Sequence, residues 1–387
     1  MVVVGAGASG LWAAISAARE GARTLVVEKV AEIGRRIVCA EGIGARGIQG
    51  LIDVKPDWVA SAIGAARLHS PDGSWTEVRE PGAGFIIRKE IFLRDLARAA
   101  TDTGVEILLA SEALDVRPTD GRDLAVSIRS GSQPTIVKCG AVVAADGIES
   151  SIWRRLGIIG ACRPAHLFSC AQDTVAPIDV AGDAVEIHFG RNVAPGGYAW
   201  VFPKGKETAN VGVGIAAGER KNLTAAEYLS RFKQARCPES KVLRSIVGGV
   251  PYERSPFRAC GRGVFLAGDA ARVADPVSGA GIVQGMKCGA VSGRYAFLYS
   301  MGEEKPGKVE KDFGEALRSQ FEGRAVRWAV RHVLANMSDK DLSAMVGLIG
   351  EYRAKRVSMI AEPIALVRFL AAAMPAVFKF TGHLARV

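Results

Sequence analysis

Cysteine is scarce and scattered in this chain: seven in 387 residues, at Cys39, Cys139, Cys162, Cys170, Cys237, Cys260 and Cys288, with no CxxC pair. That odd, dispersed set excludes a secreted disulfide framework, a cysteine-built zinc site and an iron–sulfur cluster, and it points to a reducing compartment. No metal is expected. Basic runs are missing too. Lys and Arg exceed Asp and Glu by 50 to 40, but they are dispersed and no nucleic-acid motif accompanies them, so no nucleic-acid partner is expected. The net charge of +10 suits a membrane surface, a phosphate-bearing substrate or a plain basic surface. Long apolar runs are absent from the tail, where residues 369–378 hold ten uncharged residues between Arg368 and Lys379. Ten cannot span a bilayer, though they suit a helix lying in the interface or packing on protein. The opening MVVVGAG begins a strand at once, with no room for a signal peptide. A cytoplasmic protein is expected, at most peripheral at the inner face of the membrane.

With 49% hydrophobic residues the chain can bury a large core in two domains, or in one carrying a large insertion. Its clearest local signal is VVVGAGASGLWAAISAAREGARTLVVEK. An apolar strand enters Gly5-Ala-Gly7-Ala-Ser9-Gly10, a helix follows, and a second strand ends at Glu28. Gly5 permits the tight turn, Gly7 lets a pyrophosphate approach the backbone, and Gly10 lets helix and strand pack closely. The helix start then offers unpaired N–H groups to phosphate, and Glu28 can accept from ribose hydroxyls. Together these make a dinucleotide-binding unit of an α/β, Rossmann-like domain.

Two later segments select the dinucleotide. AVVAADGIESSIWRRLG places an apolar strand before Asp146-Gly147, and GVFLAGDAARVADPVSGAGI places another before Gly268-Asp269. The second resembles the flavin-ribityl motif of the FAD-dependent hydroxylase and reductase superfamily, and the first its companion motif. This resemblance implies FAD, with Asp269 on a ribityl hydroxyl. It also implies that Pro276, Gly279, Gly281 and Ile282 lead into a helix aimed at the flavin, whose N-terminus would stabilise negative charge there. No second complete strand–GxGxxG–helix–strand–acid unit occurs, so electrons come from an external donor: NAD(P)H, a ferredoxin-like carrier or another.

Between these motifs, AVEIHFG, GYAWVFP and TANVGVGIA read as antiparallel strands. In the strand YAWVFP, Tyr198, Trp200 and Phe202 share one face. Two readings stand, the core of the sheet itself or the wall of a cavity. APGGYAWVFPKGKETANVGVGI and VCAEGIG closely resemble signatures of the geranylgeranyl reductase family, notably its archaeal lipid-saturating members. The likeness covers residues 1 to about 300. It implies reduction of carbon–carbon double bonds in isoprenoid chains of archaeal-type glycerophospholipids, with Tyr198, Trp200, Phe202 and Pro203 at the substrate. It further implies that Ser9, Glu28, Cys39, Ala40, Gly42, Arg88, Ala113, Asp269, Gly281 and Ile282 contact FAD. For Arg88 a surface role is the alternative, and Cys39 stands as a proton donor, beside Tyr198 and bound water, or as a redox sensor or a packing residue.

The expected architecture is therefore a Rossmann-like FAD-binding domain (1–157 with 255–300), an inserted antiparallel-sheet substrate domain (158–254 with part of 60–88) and a helical C-terminal region (301–387). In that last region Arg324, Arg327 and Arg331 fall on one helix face, suited to a phosphate headgroup or to solvent. The competing functions are a flavin monooxygenase on the same scaffold and a lipid-binding flavoprotein without turnover. No halogenase-type GxWxWxIP stretch occurs.

Overall fold

The computed structural model describes residues 1–148, 156–158, 162–217, 223–254, 259–355 and 374. The interfacial segment expected at 369–378 lies outside them apart from Met374. The chain divides into two units: Met1–Ile37 with Lys89–Cys162 and Pro251–Arg324, and Val38–Arg88 with Arg163–Val250 and Ala325–Val387.

The first unit is built on a six-stranded sheet in which Val2–Val4 lies between Val142–Ala144 and Leu25–Val27. All pairings are parallel except the edge pair Cys260–Gly261 with Val264–Leu266. Short runs of Val, Leu and Ala suit this layer, because a parallel strand covered on both faces has no polar side to show; Val2, Val3 and Val4 are all buried. The Ala-rich helix Ala8–Arg19 packs along the helix Ile282–Met301. On the second helix, Gly285, Gly289 and Gly293 form a stripe at which an added Cβ would lie 2.2–2.3 Å from Ser9 or Ala13. A small antiparallel sheet, Glu112–Pro118, Leu124–Arg129 and Pro134–Cys139, completes this unit together with the helices Lys89–Asp102 and Pro306–Gln320.

An eight-stranded sheet organises the second unit, in the order Lys241–Pro251, Leu167–Ala176, Ala209–Ala216, Tyr198–Pro203, Ala184–His188, Val59–His69, Trp75–Ile87 and Gly42–Gly44. Ala184–His188 runs parallel to Val59–His69, two strands far apart in the chain, while Leu167–Ala176, Ala209–Ala216, Tyr198–Pro203 and Ala184–His188 pair antiparallel in turn, as do Val59–His69, Trp75–Ile87 and Gly42–Gly44. One face carries the helix Ala225–Arg236, started by a capping box of Thr224 and Glu227. Tyr228, Leu229 and Phe232 of that helix close a core with Ala199, Val201, Val211, Val213 and Ile215. A second cluster joins Val78 to Val333 of the helix Arg324–Asn336, to Met337 in the connection that follows, and to Met345, Val346 and Ile349 of the helix Asp339–Lys355. The fold class is thus α/β, a Rossmann-like domain with a largely antiparallel second sheet and C-terminal helices. No helix among the described residues is long and apolar enough to cross a membrane.

Candidate active site

Segments separated by more than 260 residues emerge at the carboxyl ends of the parallel strands. Gly5 follows Val4, Glu28 follows Val27, Asp146 lies two residues past Ala144, and Gly268-Asp269 lies two past Leu266. The neighbouring backbones are tied there: Gly5 N donates to Val27 O (2.8 Å), Ala145 N to Val4 O (2.8 Å) and Ala267 N to Ala144 O (2.9 Å). Carboxyl ends of strands beside a reversal of strand order are where doubly wound sheets hold ligands.

The glycines here have separate jobs. At Gly5, with φ +101°, a Cβ would lie 2.5 Å from Ala145 O, and one at Gly10 would lie 2.0 Å from Gly5 O. Neither position admits a side chain. Gly7 instead faces open space, with nothing within 4 Å of a built Cβ. It is the N-cap of Ala8–Arg19, and no side chain caps that helix, leaving its first N–H groups for an anion. Glu28 is held at the strand end, its two carboxylate oxygens accepting from Ala6 N (2.7 Å) and Val30 N (3.0 Å). Ser9 fits under Gly268 and Gly285, each of which would clash with its Oγ if it had a Cβ.

The Asp269 carboxyl makes no hydrogen bond among the described residues, and burial pushes it up against a smaller opposing pull from Lys89. Such a group awaits a donor. Nearby, Asp275 locks the turn by accepting from Val277 N, Ser278 N and Ser278 Oγ, and Pro276 in this turn is buried. Gly279 N donates to Asp275 O at 2.8 Å, and Gly281 caps the helix Ile282–Met301 without a side-chain bond. A Cβ on Gly281 would stand 3.7 Å from Asp269 Oδ1. Gly147, next to Asp146, likewise has open space around it. An open phosphate cradle, two uncapped helix starts and a partnerless carboxyl match the shape and polarity of a flavin dinucleotide. Ala113 sits at a bulge of the small sheet, one residue from Glu112, which helps line a cleft of about 400 Å³ with Lys29, Val30 and Arg36.

In the second unit Tyr198, Trp200 and Phe202 stand side by side, with ring centroids 5.9 and 6.2 Å apart. Alternation sends their neighbours Ala199 and Val201 into the core beneath the helix Ala225–Arg236. The three rings therefore stand on the opposite face from that core, with Trp200 buried and Tyr198 and Phe202 partly exposed. Room for them comes from the adjoining strand: Trp200 pairs with Gly212 and Tyr198 with Gly214, and a Cβ on Gly212 would strike the indole at 2.2 Å. Pro203 is buried at the strand end.

Against this wall lies the segment Cys39–Gly42, bound by a buried polar network. Gln172 Nε2 donates to Cys39 O (3.2 Å) while its Oε1 accepts from Trp200 Nε1 (3.0 Å). Asn210 Nδ2 donates to Ala40 O (3.3 Å) and to Glu41 Oε2 (2.9 Å), and Thr174 Oγ1 donates to Asn210 Oδ1 (2.7 Å). Lys204 Nζ reaches the same Glu41 oxygen at 2.6 Å. These bonds hold Glu41 at φ +69°, a left-handed conformation costly for a residue with a Cβ. A Cβ on Gly42 would come 3.2 Å from the Phe202 ring. The half-buried Cys39 Sγ accepts from Glu41 N at 3.3 Å. Arg88 is tied to backbone at the start of the strand Val59–His69, its Nη1 donating to Val59 O (2.6 Å) and Asp57 O (3.2 Å).

A family model described as the geranylgeranyl reductase catalytic domain matches residues 167–250, and one described as FAD dependent oxidoreductase matches residues 1–147. A digeranylgeranylglycerophospholipid reductase of Methanocella arvoryzae is 33% identical over 348 residues, 89% of each chain. The chain belongs to the geranylgeranyl reductase family. Among solved structures, a geranylgeranyl bacteriochlorophyll reductase-like protein of Thermoplasma acidophilum superposes with a TM-score of 0.92 at 27% identity, covering 99% of this chain and 98% of that one. A flavin-dependent brominase shares the fold at TM-score 0.72 and 16% identity, covering 99% and 98%.

This geranylgeranyl reductase family member is an FAD-dependent oxidoreductase. Its sequence did not single out Gln172, Asn210, Thr174 or Lys204. For Gln172, Thr174 and Asn210 the available signal was a polar side chain in an otherwise apolar strand, LFSCAQDTVA or ANVGVGIA. Cys170 shares the wall face, close to Gly214, and burial pushes its thiol up to about 12. Elsewhere in the unit, His69, Glu186 and His188 converge with ligand atoms within 4.8 Å of one another. Arg236 takes both Glu186 oxygens and the two imidazoles stack face to face at 4.1 Å, so this is an ion-pair cluster.

The arginine comb expected on the helix Arg324–Asn336 is not a headgroup site. Arg324 is buried and donates to the carbonyls of Glu253, Arg272, Val273 and Ala274 at 2.7–3.0 Å. Arg331 is buried with its guanidinium 4.4 Å from the Phe168 ring centre. Arg327 alone of the three is exposed.

Proposed function

We propose that the chain saturates carbon–carbon double bonds of geranylgeranyl chains on an archaeal-type glycerophospholipid, drawing electrons from an external donor. The observation that carries this reading is the aromatic wall on the face of the sheet turned away from its core. Rings hold an isoprenoid chain by apolar area and offer no polar group to compete with it. When bound, reduced FAD supplies the hydride for one alkene carbon. The other carbon takes a proton, and an isolated alkene cannot delay that transfer by storing charge on a carbonyl. Protein groups must therefore fix the alkene and the proton source together in a dry setting.

In this reading Gly5, Gly7, Ser9, Gly10 and Glu28 hold the adenosine diphosphate half of FAD. Asp146, Gly147, Gly268, Asp269, Pro276, Gly279, Gly281 and Ile282 hold the flavin half. Cys39, Ala40, Gly42, Arg88 and Ala113 complete the contacts, and Pro203 ends the substrate wall. Cys39 Sγ and Tyr198 Oη are the protein's proton sources to compare. The test is mass spectrometry of a geranylgeranylated glycerophospholipid after anaerobic incubation with dithionite-reduced protein. Mass gains of two hydrogens per double bond, absent with oxidised protein, establish the reading, and an unchanged lipid beside a competent reduced flavin rejects it. Under the same assay Cys39→Ser and Tyr198→Phe separate the two proton sources.

A further inference from the structure

We infer that the edge strand Lys241–Pro251 is the surface by which this protein docks on an anionic lipid bilayer. The strand closes one side of the eight-stranded sheet, paired with Leu167–Ala176, and among the described residues no strand covers its outer edge. Its aliphatic side chains face water: Val247 is 70% exposed, Leu243 62% and Val242 47%. Both sides of the ribbon are apolar. Ser245 Oγ donates to Asp173 Oδ1, and Asp173 also pairs with Lys233 of the helix Ala225–Arg236. Leu243 and Val247, two residues to either side of Ser245, therefore share the helix-bearing face, and Val242 takes the other. On that other face Val38, itself 46% exposed, lies against Gly248, where a Cβ would come 2.7 Å from Val38 Cγ1.

A long apolar edge left open is normally blunted by charge or covered, because it templates pairing with other strands. This one carries the exposed cation Lys241 and no anion, in the sequence KVLRSIVGGVP. A bilayer of anionic lipid satisfies both features, taking the aliphatic groups into its interface and the lysine at its phosphates, and the net charge of +10 acts in the same sense. The edge also runs to the chemistry. Val38 precedes Cys39, whose carbonyl is joined through Gln172 to Trp200 of the aromatic wall. Resting on the proposed lipid substrate, this surface is where that lipid's membrane meets the protein.

The test uses the full-length, FAD-loaded protein and vesicles of phosphatidylglycerol and phosphatidylcholine that contain no isoprenoid lipid. The double variant Leu243→Glu/Val247→Glu should lower the vesicle partition coefficient about tenfold or more, while Ile136→Glu, an equally exposed position at 59% on the small sheet, leaves it unchanged. Neutralising Lys241 with Gln should weaken partition about fivefold, an effect that salt removes. Turnover of vesicle-borne substrate should fall with binding, and turnover of detergent-dispersed substrate should not. An unchanged partition for the double variant, or an equal loss with Ile136→Glu, overturns the inference. So does a wild-type dimer that the double variant splits in sedimentation velocity, which assigns the edge to a second copy. Because the vesicles lack isoprenoid lipid, the binding result stands apart from the identity of the substrate.

Discussion

The indole Nε1 of Trp200 donates to Gln172 Oε1 at 3.0 Å, and the amide of the same Gln172 donates to the carbonyl of Cys39 at 3.2 Å. One side chain thus couples the aromatic wall to the segment that carries the thiol. Replacing Gln172 by Leu leaves the buried indole N–H without an acceptor, which costs about 1–3 kcal/mol of stability. It also frees the Cys39 segment. The expected outcome is a lowered denaturation midpoint together with a fall in kcat that Gln172→Glu, which keeps an acceptor for the indole, restores only in part. A Gln172→Leu protein with unaltered kcat would show that the tie does not position the segment.

The buried pair of Glu41 and Lys204 makes a sharper case. Glu41 is 4% exposed and accepts from both Lys204 and Asn210. Lys204→Met leaves that carboxylate buried with its charge uncompensated, a loss of about 3–5 kcal/mol. Chemical denaturation should register it, and Lys204→Met/Glu41→Gln should recover most of it. No recovery would mean that the lysine acts through something other than this carboxylate.

Gly7 and Gly10 are three residues apart and should fail in different ways. Gly10→Ala drives a Cβ to 2.0 Å from Gly5 O, and the overpacking costs about 3 kcal/mol whether or not FAD is present. Gly7 has extended backbone, φ −72° and ψ 173°, and open space around it, so Gly7→Ala should melt like the wild type without FAD. Its methyl instead occupies the room a pyrophosphate needs, and FAD affinity should fall at least about tenfold. Thermal melts and flavin titration read the two effects separately, and equal melting losses in both variants would contradict this division.

How much of this was legible in the sequence depends on how local the cause is. The dinucleotide loop is a local device, three glycines and an acid at fixed spacing, and FAD follows from it with the two later strand-end motifs. Period-two alternation likewise put Tyr198, Trp200 and Phe202 on one face. Which face that was could not be read, because it depends on the helix Ala225–Arg236 covering Val201 rather than Trp200. Gln172 and Asn210 were missed for a related reason: Asn210 meets Ala40 across 170 residues of chain, and strand register does not show in spacing. The arginines of the helix Arg324–Asn336 do share a face, but spacing says nothing about burial, and Arg324 serves backbone carbonyls.

Acid sensitivity should come from the cluster at the end of the strand Val59–His69. Burial, with the neighbouring His188 adding to it, lowers the His69 pKa from 6.5 to about 4, and its Nε2 has no hydrogen-bond partner among the described residues. The unfolded chain takes up a proton near pH 6.5 that the folded one refuses until about pH 4. Stability conferred by neutral His69 is therefore complete above pH 6.5 and is lost as pH falls from there toward 4. Glu186 does not contribute above pH 4.5: burial alone would raise its pKa, but Arg236 and His188 hold it at about 2, so its share is lost only as pH falls from 4.5 through that value. Melting His69→Phe and wild type between pH 7 and 5 should show a shallower slope for the variant. Parallel slopes would assign the acid sensitivity to other groups.

Adjacent residues of the strand Tyr198–Pro203 offer a test of the aromatic wall. Val201 is fully buried beneath the helix Ala225–Arg236, whereas Phe202 is partly exposed on the opposite face. Val201→Ala should lower stability by about 2 kcal/mol through the cavity it leaves, with little change in turnover per folded molecule. Phe202→Ala removes ring area that in this reading touches the isoprenoid chain, so kcat/KM for the lipid should drop about tenfold to a hundredfold while the melting temperature moves less than in Val201→Ala. A smaller apolar replacement, Phe202→Leu, should fall between. If Phe202→Ala instead lost stability as Val201→Ala does and kept its kcat/KM, the ring would be a packing residue, and the substrate would have to be placed away from this face of the sheet.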